Sequence, residues 1–175
     1  MVTRRDGLVS HATWLMNTKD DPIRFALLLD HYPASAGRRE LGLGIGAYLE
    51  GELAFYPSRN PLRAFLIEHK VLTTEPKKSR AVSSNDLWAG YQQQLSVLPW
   101  SEHYPHLLGA GRILRDSKGQ HWWQDSFAEQ SLPLSNTELP QLLSGCDLRS
   151  AFILWDGDRA ELFSANTEQW GTITC

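Results

Sequence analysis

The spacing of apolar side chains predicts two helices at the start of the chain. Between residues 6 and 17, Leu8, Ala12 and Leu15 recur at helical intervals. A second apolar segment, IRFALLLDHY, follows Pro22. Because proline lacks an N–H, it suits the first turn of that second helix.

Three further helices are predicted along the chain. The segment 61–71 carries an apolar stripe, and Asn60-Pro61 is a typical helix start. Residues 85–97 repeat apolar side chains at helical spacing, and a short helix is predicted at about 137–144.

Strand-like alternation appears first at residues 41–49, where every second position from 42 to 46 is glycine. A turn is predicted at 50–52 and a return strand at 53–57. This register places Gly46 opposite Phe55, so an aromatic ring would cover the bare backbone.

The last third of the chain has the pattern of antiparallel hairpins. Two extended runs flank the glycine-containing loop DSKG at 116–119, and a second hairpin is predicted to turn at Gly157-Asp158. The favoured register of that second hairpin pairs Asp156 with Arg159, Ile153 with Leu162, and Phe152 with Phe163.

Together these elements predict an α+β fold in which N-terminal helices pack with antiparallel β-hairpins. A chain of 175 residues suits one domain, 1–175, with a possible internal boundary at the polar segment 73–84.

Composition and charge narrow the classes of function. A formal net charge of −3 argues against a surface dominated by phosphate contacts. Two cysteines, Cys146 and Cys175, are too few for a disulfide framework or a zinc cage, so a reducing, cytoplasmic setting is expected. No segment approaches the roughly 20 apolar residues needed to span a bilayer, and no membrane association is expected.

The glycine-rich stretch does not have the spacing of a phosphate-binding loop. A dinucleotide fingerprint needs glycines at i, i+2 and i+5, followed by a helix. Here the i+5 positions are Ala47 and Leu49, and a predicted return strand follows. The glycines therefore indicate packing, and no nucleotide or other cofactor is predicted.

A histidine cluster offers one enzymatic interpretation. His103 and His106 form H-x-x-H, and with His121 and an acidic neighbour such as Asp125 they would suit a hydrolase, one version of which would use a metal ion. Prolines on both sides of the H-x-x-H make a regular helix there doubtful, so no metal ligand and no catalytic residue is assigned.

Seven tryptophans are the one compositional excess. Trp122 and Trp123 are adjacent in a predicted strand and must point to opposite faces, so at most one of them is expected in the core. An exposed tryptophan would favour a partner-binding role.

Several short motifs follow one another between about residues 25 and 165: LLLDHYP, GELAFYPSRNPLRAFL, LPWSEHYPHLL, a tryptophan-containing strand before SLPL, and LWDGDRAELF. Their order resembles the C-terminal region of bacterial SWIM zinc finger family proteins. The family's C-x-C…C-x-H zinc motif is absent, so no zinc ligand is carried over. Genes of that family often lie near those of MoxR-type ATPases and von Willebrand A-domain proteins, so the resemblance implies an accessory or scaffolding role in a protein complex.

The leading hypothesis is therefore a non-enzymatic protein-interaction module. Its expected contact residues are Tyr56, Arg59 and Arg63, at the exit of the first predicted hairpin and the start of the following helix. A turn at this position can hold a planar guanidinium against a carboxylate.

A nucleic-acid accessory domain is the third possibility. It would use basic residues of two polar segments, although the net charge does not favour it: Arg38, Arg39, Lys77, Lys78 and Arg80.

Overall fold

The computed structural model describes residues 2–5, 7–17, 23–36, 43–73 and 86–175. The chain divides into two compact units, Met1–Ser79 and Arg80–Cys175, which we call unit 1 and unit 2. The division lies inside the polar segment 73–84. Both units consist mainly of strands.

Unit 1 contains five strands in its described residues: β1 (Val2–Arg5), β2 (Leu8–Met16), β3 (Phe25–Pro33), β4 (Tyr48–Phe55) and β5 (Ala64–Leu72). The first three form an antiparallel sheet in chain order, and β4 and β5 form a separate antiparallel pair. A parallel bridge between Leu27 and Arg63 connects β3 to the residue before β5. The buried cluster of this unit consists of Ala26, Leu28 and Ala64.

The predicted α+β fold is wrong, because unit 1 has strands where two N-terminal helices were expected. Segment 6–17 contains β2 and the segment after Pro22 contains β3, and the two strands pair along their whole lengths. A continuous apolar run fits a buried helix and a buried strand equally well. The burial of Ala26 and Leu28, two residues apart, shows the strand period. The described part of the chain is a mainly β protein.

The predicted helix at 61–71 is also wrong. Ala64 is buried, Phe65 and Ile67 are about half exposed, and the whole segment from Ala64 pairs with β4. The helix-start signal of Asn60-Pro61 involves only neighbouring residues. The strand that pairs with β5 is β4, which precedes it by one loop. The tertiary context therefore overrides the helix-start signal.

The glycine-rich stretch forms a turn where a strand was predicted. Residues 41 and 42 lie outside the described residues, and the N–H of Ala47 donates to the carbonyl of Gly44 over 3.1 Å. Gly46 has a φ of 80°, which favours glycine. Phe55 pairs with Ala64, so the expected contact between Phe55 and Gly46 is wrong.

The predicted turn at 50–52 is part of β4. Gly51 pairs with His69, and a Cβ at this position would overlap the backbone carbonyl of Glu68. The glycine is therefore required by the close approach of β5, at a point where the register shifts between Glu52 and Leu53.

Unit 2 contains one α-helix and seven strands in its described residues. They are α1 (Asp86–Val97), β6 (Tyr104–Leu108), β7 (Gly111–Arg115), β8 (His121–Asp125), β9 (Ser131–Pro133), β10 (Asp147–Trp155), β11 (Ala160–Thr167) and β12 (Gly171–Thr174). The sheet has the order β12-β11-β10-β7-β8-β9, and β6 also pairs with β10.

The sheet of unit 2 closes on itself through the residues after β9. The N–H of Leu134 donates to the carbonyl of His121 in β8 over 2.9 Å, and the N–H of Ser135 donates to the carbonyl of Ala160 in β11 over 2.9 Å. A parallel bridge also joins Leu134 to Ala160. This closure leaves fewer free strand edges and surrounds a common core.

The core of unit 2 receives side chains from α1 and from each of β6 to β11. Representative buried members are Leu87, Leu108, Ile113, Trp123, Leu132, Ile153 and Leu162. Trp123 is 1% exposed, while its neighbour Trp122 is only half-buried and donates its indole N–H to Asp116 Oδ2 over 3.2 Å. The prediction that at most one of this pair lies in the core is confirmed.

The local predictions in unit 2 are largely confirmed. Helix α1 occupies 86–97, and the DSKG loop connects β7 to β8. Ile153 pairs with Leu162 as predicted. Because the register shifts between Phe152 and Ile153, Phe152 pairs with Ser164 instead of the predicted Phe163. The Phe152 and Phe163 rings still lie 6.1 Å apart, edge to face. The helix predicted at 137–144 is reduced to a single 3-10 turn, Gln141–Leu143.

Candidate functional site

The predicted contact residues of unit 1 lie in the connection between β4 and β5. The N–H of Tyr56 donates to the carbonyl of Arg63 over 2.9 Å, which closes this connection into a loop. The N–H of Leu27 donates to the carbonyl of Leu62 over 2.8 Å, so the end of the loop is also tied to β3. The backbone on both sides of the loop is thereby fixed.

The structure brings Tyr56 and Arg63 together at this loop. The guanidinium carbon of Arg63 lies 5.4 Å from the centre of the Tyr56 ring, within the range of a cation–π contact. The Phe65 ring meets the same tyrosine edge to face, with centroids 6.2 Å apart. We call Tyr56, Arg63 and Phe65 the Tyr56 surface.

The Tyr56 surface is open to solvent although two of its three residues are aromatic. Tyr56 is 53% exposed and Phe65 is 51% exposed. Arg63 is itself exposed, so its cation lies beside exposed aromatic area.

The predicted partner of the guanidinium differs from the observed one. The expectation was a carboxylate, whereas the contact recorded for Arg63 is the Tyr56 ring. Arg59 lies in the same loop, in the bend at residues 58–60, and is exposed. Within the described residues, no ring contact like that of Arg63 is recorded for Arg59.

The histidines of the enzymatic interpretation do not form a metal site. His103, His106, His121 and Asp125 are all described, and the described part of the chain holds no group of three or more His, Cys, Asp or Glu side chains suited to a metal ion. Asp125 accepts hydrogen bonds from the N–H groups of Phe127 and Ala128, at 2.7 and 2.9 Å, and so shapes the turn after β8.

His106 is a core residue of unit 2. It is 5% exposed, its ring stacks on Tyr104 with centroids 5.9 Å apart, and its Nε2 has no hydrogen-bond partner among the described atoms. Burial lowers its pKa to about 4, although the negative charge of Asp86 acts in the opposite direction. The imidazole is therefore neutral at pH 7.

The two cysteines have no hallmark of a nucleophile. The thiol of Cys146 donates to the carbonyl of Leu142 over 2.8 Å. Burial raises the pKa of Cys175 to about 11, so its thiolate is scarce at neutral pH.

A second candidate site, which sequence patterns did not reveal, is a groove on unit 2. Two open clefts of about 620 and 580 Å³ share His121 and Thr137 in their linings. Arg115 borders the first cleft, and Trp122 and Arg159 border the second. We call the two clefts together the His121 groove.

Two segments distant in sequence form this groove. The carbonyl of Asn136 accepts a hydrogen bond from His121 Nδ1 over 3.0 Å, and the amide side chain of Asn136 bonds the N–H and carbonyl of Leu162 at 2.7 and 3.0 Å. The groove thus depends on the closure of the sheet, and no local sequence motif predicts that closure.

The basic residues of the nucleic-acid alternative lie outside the described residues: Arg38, Arg39, Lys77, Lys78 and Arg80. No helix within the described ranges is long and apolar enough to cross a membrane.

Comparison with protein-family models, with curated proteins and with solved structures finds no match to the chain.

Proposed function

We propose that the protein is a non-enzymatic interaction module that binds a protein partner through the Tyr56 surface. The observation that carries the proposal is the cation–π contact of Arg63 with Tyr56, at 5.4 Å, on an exposed aromatic loop. Tyrosine and arginine are among the residues that most often dominate binding energy at protein interfaces.

The chemistry of the surface suggests what a partner must offer. A carboxylate can accept hydrogen bonds from the N–H groups of the Arg63 guanidinium while its central carbon stays 5.4 Å from the centre of the Tyr56 ring. Phe65 adds exposed apolar area beside the tyrosine. The proposed partner therefore presents an acidic residue next to an apolar patch.

The resemblance to bacterial SWIM zinc finger family proteins supplies candidate partners. Under this proposal the protein is an accessory component of a system that contains a MoxR-type ATPase and a von Willebrand A-domain protein. The interaction takes place in the reducing cytoplasm, a setting that suits the free thiols of Cys146 and Cys175.

Binding between purified proteins tests the proposal. The full chain is immobilised, and the MoxR-type ATPase and the von Willebrand A-domain protein of the same genome are passed over it separately. We expect one of them to bind, and the double variant Tyr56→Ala/Arg63→Gln to weaken binding by about tenfold or more.

The matched control is Phe127→Ala/Arg149→Gln, which removes an exposed aromatic and an exposed arginine from unit 2. This control should bind like the unmodified protein. Absence of binding by both candidate partners, or equal losses in the two double variants, would overturn the proposal.

A further inference from the structure

The paired strands β4 and β5 turn one face towards the core of unit 1 and the other towards solvent. Residues directly opposite each other in antiparallel strands share a face, so the register assigns each side chain to one of the two. The core face carries Leu53, Leu66 and Ala64. The opposite face includes the residues of the Tyr56 surface, and we call it the ribbon face.

The register shift in this strand pair sets the order of side chains on the ribbon face. Glu52 pairs with Glu68 and Leu53 pairs with Leu66, so Ile67 is an extra residue in β5. Phe65 and Glu68 therefore lie on the same face, although an odd number of positions separates them. From the loop outwards the ribbon face presents Tyr56 with Arg63, Ala54 with Phe65, Glu52 with Glu68, and Glu50 with Lys70.

The charges on the ribbon face are exposed and segregated. Arg63 and its loop neighbour Arg59 place positive charge at one end. Three glutamates against one lysine make the other end negative, and all four are exposed: Glu50, Glu52, Glu68 and Lys70. Phe65 lies between the two ends and is 51% exposed.

The pair formed by Glu52 and Glu68 is the least satisfied part of this face. Two like charges directly opposite each other destabilise an antiparallel pair. Within the described ranges, neither glutamate forms an ion pair. The face therefore favours an occupant that brings a cation to this pair and a carboxylate to Arg63.

A second copy of the same face meets both requirements. A two-fold axis that lies between two ribbon faces, across the strands at the level of Phe65, reverses the strand direction. Because this axis keeps β5 over β5, Arg63 of each copy meets Glu68 of the other. The two Phe65 rings meet at the axis, where their exposed apolar area is covered.

We propose that two copies of the chain associate reversibly through their ribbon faces, about a two-fold axis at Phe65. The face is only two strands wide, whereas a stable interface buries about 800 Å² on each partner. The expected dimer is therefore weak, with a dissociation constant of about 100 μM. The inference does not rest on the proposed function, but a second copy and a partner bound at the Tyr56 surface would exclude each other.

Sedimentation equilibrium of the full chain tests the proposal without any other protein. Over concentrations from about 10 to 500 μM at low salt, we expect a monomer–dimer equilibrium. Because exposed charge pairs hold the two copies in register, the dissociation constant should rise about tenfold in roughly 0.5 M sodium chloride.

Charge reversals identify the face and its orientation. Arg63→Glu places a carboxylate against Glu68 of the second copy, and Glu52→Lys/Glu68→Lys places lysines against Arg63, so each variant alone should associate at least about tenfold more weakly. Mixed in equal amounts, the two variants should associate about as tightly as the unmodified chain, because opposite charges then meet at both contacts. The control Arg149→Glu, in unit 2, should associate like the unmodified chain.

Circular dichroism confirms that each variant is folded, and the unmodified chain provides a test that needs no variant. A monomer at every concentration would overturn the inference. Association that Arg63→Glu leaves unchanged would place the contact on another surface. A mixture of the two charge-reversed variants that associates no better than either alone would contradict the two-fold pairing of the ribbon faces.

Discussion

Unit 1 and unit 2 bury their apolar side chains to very different extents. Among the described residues, the buried cluster of unit 2 has fourteen members and that of unit 1 has three. Both units expose large apolar side chains, among them Phe55, Phe65 and Ile67 in unit 1 and Trp100, Phe127 and Trp170 in unit 2. The larger buried cluster predicts that the closed sheet of unit 2 is the more stable of the two units.

The largest expected effect comes from the core of unit 2. Trp123→Ala should lower the free energy of unfolding by about 4 kcal/mol, because it leaves a large cavity among buried neighbours. Its matched control is Trp122→Ala on the opposite face of β8, expected to cost about 1 kcal/mol since that ring is only half-buried. Urea unfolding measures both, and equal losses would contradict the description of the core.

Acid should destabilise unit 2 through His106. Its pKa of about 4 lies below the ordinary value of 6.5, so the unfolded state takes up a proton first as the pH falls. Stability attributable to His106 is complete above pH 6.5 and declines towards pH 4, by about 3 kcal/mol in total.

The variant His106→Leu isolates this effect. The difference in unfolding free energy between pH 7 and pH 4 should become smaller by about that amount. An unchanged pH dependence in His106→Leu would show that the buried imidazole is not the cause.

A smaller effect is expected from the core of unit 1. Leu28→Ala should cost about 2 kcal/mol, at the lower end for buried leucines, because the surrounding cluster is small. Hydrogen exchange should locate the loss of protection in Met1–Ser79 and leave the amides of β10 and β11 unchanged. Equal loss of protection in both units would contradict their separate cores.

The smallest effect on stability is expected at the Tyr56 surface. Tyr56→Ala should change the free energy of unfolding by less than about 1 kcal/mol, because more than half of this side chain is already in solvent. Thermal unfolding measures the change. A loss comparable to that of Leu28→Ala would identify Tyr56 as a structural residue instead of a contact residue.

The sequence predicted unit 2 better than unit 1 because the signals in unit 2 are local. The Asp156 side chain accepts hydrogen bonds from the N–H groups of Asp158 and Arg159, at 2.8 and 2.7 Å, within the turn that the DGDR pattern indicates. In unit 1, the apolar run of β3 has no internal feature that separates a helix from a strand. The pairing of β3 with β2 determines that the segment is a strand, and this pairing cannot be read from the segment itself.

The candidate sites also differ in whether their residues are close together in the sequence. Tyr56 and Arg63 were proposed from a predicted hairpin exit and a predicted helix start. The helix is a strand, and the contact between the Arg63 guanidinium and the Tyr56 ring was not predicted. The His121 groove was missed because His121 meets the residues after β9 only through sheet closure. Hydrophobic periodicity carries no information about such contacts.

Site-specific photo-crosslinking tests the proposed interaction most directly. A photoreactive phenylalanine analogue replaces Phe65 in one version of the protein and Trp170, a similarly exposed aromatic of unit 2, in another. In the native cell, we expect the version labelled at 65 to form a crosslink to the MoxR-type ATPase or the von Willebrand A-domain protein, and Arg63→Gln to reduce it. Equal crosslinking from position 170, or none from position 65, would contradict the account.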